Sequence, residues 1–349
     1  MKQQQLPTIT ALKRWASVFY NLNTDHDLAV LLELNSMGLD LLCHFKEYNE
    51  FKIPKKVGGF RLIEDPNESL KKVLQKLNKH LQACHYFQKT QAAYGFVVVP
   101  VHDSDPRNIL TNAHRHRNKS WLLNADFSDF FHAIDEGMVR AVFRNLPFGF
   151  SEALTDALVR LTTYKGRLPM GSPTSPVLSN LASRGLDEDL LFMANSQQWV
   201  YTRYADDLSF SSNQPFTTHH LQEIRNIAAI HNYSFNENKV HIYSPSVEKH
   251  ITGLKVTDKV SLPDDFFGKL MTEIQKLEHA VELKYRVGQQ ESEWLDKFKQ
   301  QIAGHLQFAK FVEGAETNTF KAAQKAYQKA IVGPNQFDSA SWLDFNYLF

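Results

Sequence analysis

The sequence predicts a mixed α/β fold in which an antiparallel sheet carries the chemistry and the C-terminal part is helical. Three observations lead there. In WVYTRYADDLSFSS, residues 199–212, Val200, Thr202 and Tyr204, then Leu208 and Phe210, alternate with period two. That pattern is a hairpin of half-buried strands with Asp206 and Asp207 at or near its tight turn. In SWLLNADFSDFFHAI, residues 120–134, the apolar run of Trp121, Leu122 and Leu123 suits a buried strand ending on Asp126. From Pro263 the apolar spacing is helical, over 264–286, 291–312 and 316–331.

Adjacent carboxylates beside a buried strand repel each other and are costly unless a cation neutralises them. A bare Asp-Asp pair is more often a solvated turn, so the third carboxylate matters. A strand ending in Asp126, beside a hairpin carrying Asp206 and Asp207, can surround two hard cations about 3.5–4 Å apart, one activating an attacking oxygen and one stabilising a leaving oxygen.

With 349 residues, 43% of them hydrophobic, the chain can bury a sizeable core and build more than one lobe. The net charge of +1 leaves nucleic-acid chemistry open, provided the basic residues line a groove. Cys43 and Cys84 are far apart and form neither a disulfide framework nor a zinc pattern. MKQQQLPTIT lacks an apolar export segment and no run reaches membrane-spanning length, so a cytoplasmic protein with no membrane partner is expected.

In chain order, residues 8–47 are packing helices, with Leu12, Trp15 and Phe19, then Leu28, Leu31 and Leu32, at helical spacing. YNEFKIPKKVGGFRLIEDP, 48–66, is a basic hairpin turning at Gly58-Gly59, from which Lys55, Lys56 and Arg61 either grip phosphates or simply meet solvent. Residues 69–87 form an amphipathic helix with a solvated lysine face. AAYGFVVVPVHDSD, 92–105, predicts a strand and a polar loop. RNILTNAHRHRNK, 107–119, is the densest basic stretch; His114 and His116 lack a further metal ligand nearby, which favours a structural or RNA-contacting loop. Helices follow at 136–145 and 152–164. Ser175 caps a helix that begins with Pro176, holding the loop from Leu168 to Thr174 rigid, and Gly171 would let backbone approach a base pair closely. Beyond the hairpin come a helix, TTHHLQEIRNIAAIHNY, and a strand with a polar lead, SFNENKVHIYS. In the last helix Lys321, Lys325 and Lys329 recur at i, i+4, i+8 with no acid between them, a stripe that either grips structured RNA or is solvated. The tail 333–349, rich in aromatic residues, either docks on this chain or binds a partner.

Taken together, YADD at 204–207, ADFSDFF at 125–131 and LPMGSPTSPVLSN at 168–180 resemble reverse transcriptases. NAHRH at 112–116 and ITGL at 251–254 resemble the two signature segments of bacterial retron reverse transcriptases, and the resemblance runs from about residue 48 to about 312. It implies a right-hand polymerase fold: an N-terminal helical region at 1–50, fingers and an antiparallel-sheet palm interleaved over 51–262, an α-helical thumb at 263–332 and the aromatic tail. The implied reaction is RNA-templated addition of deoxynucleotides to a primer hydroxyl, with two Mg²⁺ ions on Asp126, Asp206 and Asp207 and with Phe127 as a further metal and nucleotide position.

The same resemblance assigns the triphosphate grip to Arg61 with Lys55 or Lys56, and places backbone N–H groups of 127–131 toward the phosphates. Phe131 would lie beneath the sugar and exclude a ribose 2′-hydroxyl, while Phe130 packs; Asp129 is a supporting or helix-capping acid. Met170 stands where the family more usually has glutamine, which puts its part in selectivity in question, and Gly171 follows it. Lys239 matches a lysine that protonates departing pyrophosphate, with an ordinary surface lysine as the alternative. Asn112 and His116 are signature positions, with Arg115 and Arg117 beside them for RNA, and ITGL would close the palm near the primer terminus. The implied partners are a dedicated non-coding RNA serving as template and primer, its branched RNA-linked DNA product, deoxynucleoside triphosphates and an effector protein in anti-phage defence. Because little sequence follows the thumb, removal of the RNA would fall to a host enzyme. Alternatives are an abortive-infection, diversity-generating or group II intron-like reverse transcriptase, or a mainly scaffolding subunit of a toxin complex.

Overall fold

The computed structural model describes residues 6–55, 58–286 and 292–332, so Lys56 and the tail 333–349 lie outside the described residues. The chain forms two compact units, one up to Thr252 and one from Gly253 on.

The first unit begins with α1 (Ile9–Tyr20), α2 (Asp25–Leu31) and α3 (Ser36–His44). Each starts at a polar side chain, that of Thr8, Thr24 and Asn35 in turn, which accepts the backbone N–H of Ala11, Asp27 and Gly38 and so satisfies donors the helix itself leaves open. Leu12, Ala16 and Phe19 bury one stripe of α1. Strands β1 (Tyr48–Pro54) and β2 (Phe60–Pro66) form the expected antiparallel hairpin, from Tyr48 opposite Pro66 to Pro54 opposite Phe60. In α4 (Glu68–Gln88), Leu70, Val73, Leu74, Leu77 and Leu81 are buried. Its lysine face is knitted to neighbours rather than merely solvated: Lys71 pairs with Asp65, Lys72 with Glu68 and Lys76 with Glu33.

A central sheet follows, in the order β4-β5-β3-β6: β3 (Trp121–Asp126), β4 (Val200–Tyr204), β5 (Asp207–Ser212) and β6 (His241–Tyr243). All pairings are antiparallel. Helices α5 (Ile109–His114), α6 (Glu136–Arg144), α7 (Glu152–Thr162), α8 (Ser175–Ala182), α9 (Arg184–Ser196) and α10 (Thr218–Ile230) complete the unit before the short β7 (His250–Ile251). Leu123, Ala125, Leu208 and Phe210 of the sheet share one buried core with Phe143, Leu158, Val177 and Leu190 of the helices. Helix α8 starts one residue earlier than its sequence suggests: Thr174 is the cap position, and the Ser175 hydroxyl donates to the Pro169 carbonyl at 2.7 Å. Residues 92–105 do not form the expected strand. Only Ala93 makes a sheet bridge, to Arg203, and Phe96 takes φ 58°, which interrupts an extended run.

The second unit holds β8 (Leu254–Val256) paired with β9 (Val260–Ser261), then α11 (Phe266–Arg286), α12 (Glu293–Glu313) and α13 (Asn318–Val332). Its core draws Leu270, Ile274 and Leu277 together with Leu295, Ile302, Leu306, Phe320, Ala323 and Tyr327. The lysine stripe on α13 is largely compensated: Lys321 pairs with Glu316 and Lys329 with Glu278 of α11. Spacing along one helix shows no acid between those lysines, but the partners come from before the helix and from its neighbour. Of the three, Lys325 alone makes no ion pair among the described residues.

The NAHRH segment also differs from expectation. Asn112 and His116 are buried, and the His116 ring nitrogens lie 2.7 Å from Ser211 Oγ on β5 and 2.7 Å from Thr202 Oγ1 on β4. His116 braces the sheet, and both side chains are buried away from an RNA surface. Arg115 and Arg117 do face solvent, as does His114, so the two histidines point apart and form no metal pair. Burial holds His116 neutral, its pKa brought down to about 3, with Arg115 and Lys119 adding to the effect. The unfolded chain therefore takes up this proton first, and stability falls as pH drops below about 6.5. We expect His116→Gln to cost about 1–3 kcal/mol at neutral pH and to flatten the acid loss, measured by urea unfolding between about pH 6.5 and 4. An unchanged pH slope would contradict this role.

Candidate active site

Sheet register brings the acidic residues together. Asp126, the last residue of β3, sits opposite Asp207, the first of β5, and Tyr204 is opposite Asp207 across the hairpin. Directly paired residues on antiparallel strands have their Cα atoms about 4.5–5.5 Å apart, so these carboxylates, 81 positions apart in sequence, are neighbours in space. Asp206 lies in the two-residue turn after Ala205, which takes φ 57°. Its carbonyl accepts the Phe127 N–H at 3.1 Å, tying the turn to the end of β3. On the other side of Asp126, the Asn236 N–H donates to its carbonyl at 2.8 Å. A 3₁₀ turn at Glu237–Lys239 then delivers the Lys239 ammonium to Asp126 Oδ2 at 2.8 Å.

The electrostatics follow from that crowding. Burial, then the charge of Asp126, raises the Asp206 pKa, with Lys239 and Arg61 opposing. Asp207 is raised more strongly, by burial first, then by the charges of Asp206 and Asp126 and a hydrogen bond to Asp126. Part of the Asp207 side chain reaches solvent, which tempers the rise. At Lys239 burial works against the charge, but the hydrogen bond and charge of Asp126 outweigh it and hold the ammonium protonated.

The hairpin is braced from behind by residues that sequence patterning passes over. Arg203 is wholly buried; its Nε and Nη2 donate to the two Asp187 oxygens at 2.8 and 2.7 Å, and its Nη1 donates to Asn180 Oδ1 and the Ala205 carbonyl, both at 3.1 Å. Tyr201 adds a hydrogen bond to Asp187 at 3.0 Å. A Cβ on Gly95 would stand 2.5 Å from the Ala205 nitrogen, so only glycine allows that backbone to pass behind the turn. The one hint in the sequence is a charged residue at an alternating buried position of a strand.

Around this centre, Phe127 is buried in a stack with Phe130, Tyr233 and Phe235 at centroid distances of 5.8, 4.7 and 5.4 Å. Only its main chain can reach a ligand. The N–H groups of Phe127 and Ser128 are not available to phosphates as expected, because they donate to the Asp206 and Ser234 carbonyls. Phe130 is core and Phe131 is half-buried beside Phe96, 5.9 Å away. Asp129 is exposed, at φ 43°. Lys55 and Arg61 are exposed on the β1–β2 hairpin. Gly171 does not present open backbone to a base pair: a Cβ there would lie 2.7 Å from the Glu64 carbonyl, so its bare face is used by β2.

Among the described residues no three His, Cys, Asp or Glu side chains stand in ready-made ligating geometry. Lys239 occupies Asp126 Oδ2. The donor set still fits Mg²⁺, which takes one or two carboxylates and completes its shell with water and phosphate oxygens. Crowded carboxylates with raised pKa values are what such an ion relieves.

An acid-bearing hairpin registered against a third acid, with a helical unit following, defines the right-hand class of nucleic-acid polymerases. Residues 53–256 match the family described as reverse transcriptase (RNA-dependent DNA polymerase), and the chain belongs to that family. It is an RNA-directed DNA polymerase. Within the family it is similar to retron reverse transcriptases. It is 26% identical over 280 residues to the Ec86 enzyme of Escherichia coli, covering 73% of this chain and 78% of that one. It is 27% identical over 270 residues to the Mx65 enzyme of Myxococcus xanthus, covering 68% and 59%. Among solved structures, Candida albicans telomerase with a fragment of telomeric RNA aligns over 83% of this chain and 64% of that one, at TM-score 0.43 and 11% identity.

Removing one of the crowded carboxylates should stabilise the metal-free protein. The ionised Asp207 costs stability at neutral to alkaline pH, and that cost is relieved as pH falls through its raised pKa. Asp207→Asn should therefore raise Tm in EDTA at about pH 8 by on the order of 1–2 °C and shrink the further rise that Mg²⁺ gives the unaltered chain. A lower Tm in EDTA would show that the acids do not strain one another.

Proposed function

We propose that this polymerase copies a cognate structured non-coding RNA, which also supplies the primer, into single-stranded DNA that stays joined to the RNA. Asp126, Asp206 and Asp207 would hold two Mg²⁺ ions, which when bound supply charge neutralisation at the primer oxygen and the triphosphate. The observation that carries the assignment of these three is the register of Asp126 opposite Asp207 beside the Asp206 turn. The chain's own groups do the rest. Arg61, with Lys55, draws the triphosphate in; Phe131 lies under the sugar; and Lys239, protonated beside Asp126, stands ready to give its proton to pyrophosphate as that leaves.

The reading of the substrate as a dedicated RNA rests on the similarity to retron enzymes across most of the chain. By the same similarity the start would be a guanosine 2′-hydroxyl within the RNA, the product a branched RNA–DNA hybrid, and the biological setting anti-phage defence with an effector protein. Exposed Arg115 and Arg117 of the first unit, and exposed Lys325 of the second, would supply positive charge to RNA phosphates.

Nucleic acid copurifying with the full chain tests this directly. The expected species is DNA that survives ribonuclease, carries a 2′–5′ branch to RNA, and disappears in an Asp206→Asn, Asp207→Asn variant, with primer extension down by at least about 10³-fold. Linear DNA without a branch would reject the retron reading while leaving the polymerase intact; unchanged extension by the double variant would reject the site.

A further inference from the structure

Glu64 is a fully buried carboxylate on β2, and the expected nucleotide contacts make no use of it. Arg167 reaches both of its oxygens at 3.1 Å, and His132 Nε2 lies 3.2 Å from Oε2. The main chain of the same residue is equally committed. Its N–H donates to the Met170 carbonyl at 2.7 Å, the Met170 N–H donates to Oε2 at 3.3 Å, and its carbonyl fills the space beside Gly171.

These partners belong to two stretches distant from β2: His132 follows Phe131 directly, and Arg167, Met170 and Gly171 belong to the loop before α8. A buried carboxylate is expensive, and an apolar side chain of similar size often gives equal or greater stability. What the carboxylate supplies that an apolar group cannot is direction: two oxygens fix a guanidinium fork, an imidazole and a backbone N–H at set angles.

We propose that Glu64 is the positioning residue for sugar selection, holding Phe131 at a fixed distance from the Met170–Gly171 loop so that the space between them admits a deoxyribose and not a ribose. The inference rests on the nucleotide lying against Phe131, as proposed above. Glu64 touches no substrate; it acts through its neighbours. A misplacement of about 1 Å can change a rate by about 100-fold, and here it would fall on the term that separates the two sugars.

The test is the ratio of kcat/KM for deoxynucleotide over ribonucleotide, measured on the full chain with an RNA template and a DNA primer. The folded fraction cancels in that ratio, so a residue that merely supports the fold does not move it. We expect Glu64→Gln to lower the ratio by about 10- to 100-fold, mostly through faster ribonucleotide use. His132→Gln, which removes one partner at a partly exposed position, should lower it by about 3-fold and serves where Glu64→Gln does not fold. Phe131→Ala is the control. If it lowers the ratio while Glu64→Gln and His132→Gln leave it unchanged, the role of Glu64 is overturned and the pocket stands. If Phe131→Ala itself leaves the ratio unchanged, the pocket reading fails and the inference fails with it.

Discussion

Everything at this site depends on the backbone ladder between β3 and β5. Side chains alternate between the two faces of a sheet, so a slip of one residue would send Asp126 to the opposite face from its partners and turn Leu123 and Phe210 out of the core. The apolar residues therefore fix the acids: burying Leu123, Ala125, Leu208 and Phe210 leaves one register, and that register sets Asp126 opposite Asp207. Hydrogen bonds on either side of Asp126, from the Phe127 N–H to the Asp206 carbonyl and from the Asn236 N–H to the Asp126 carbonyl, hold that end of the pairing against the repulsion of the carboxylates.

That repulsion is a standing cost, and the surroundings are built to bear it. Arg203, Asp187 and Asn180 form a closed buried network that grasps the Ala205 carbonyl, so the turn cannot relax by swinging its acids apart. Gly95 closes the rear of the turn by direct backbone contact. Lys239 lowers the charge density at Asp126 from the front. A rigid rear and a cationic side chain at the front let three acids stay near each other before an ion arrives, and such preorganisation favours binding.

How much of this was legible in the sequence depended on range. The hairpin at 200–212, the strand ending on Asp126 and the helices of the second unit each announce themselves within a short window, because one face is apolar at the period of the element. Motif order singled out Phe131, Arg61 and Lys239 as well, and of these the fold sets Lys239 against Asp126. What stayed hidden was pairing between distant residues. The strand expected at 92–105 is reduced to a single bridge, Ala93 to Arg203. His116 looks like part of a basic surface until Ser211 and Thr202 close over it. The α13 lysines look unopposed until α11 supplies Glu278. Glu64 and Asp187 give no local sign at all, because their partners lie 103 and 16 positions away and only folding brings them together.

The central claim is that Asp126, Asp206 and Asp207 together hold the metal ions of polymerisation. Anomalous scattering from crystals grown with Mn²⁺, an RNA–DNA primer duplex and a non-hydrolysable deoxynucleotide addresses it directly. The expected result is Mn²⁺ within ligand distance of all three aspartates, with Lys239 released from Asp126. Manganese bound elsewhere, with Asp126 still paired to Lys239 and the nucleotide in place, would contradict it.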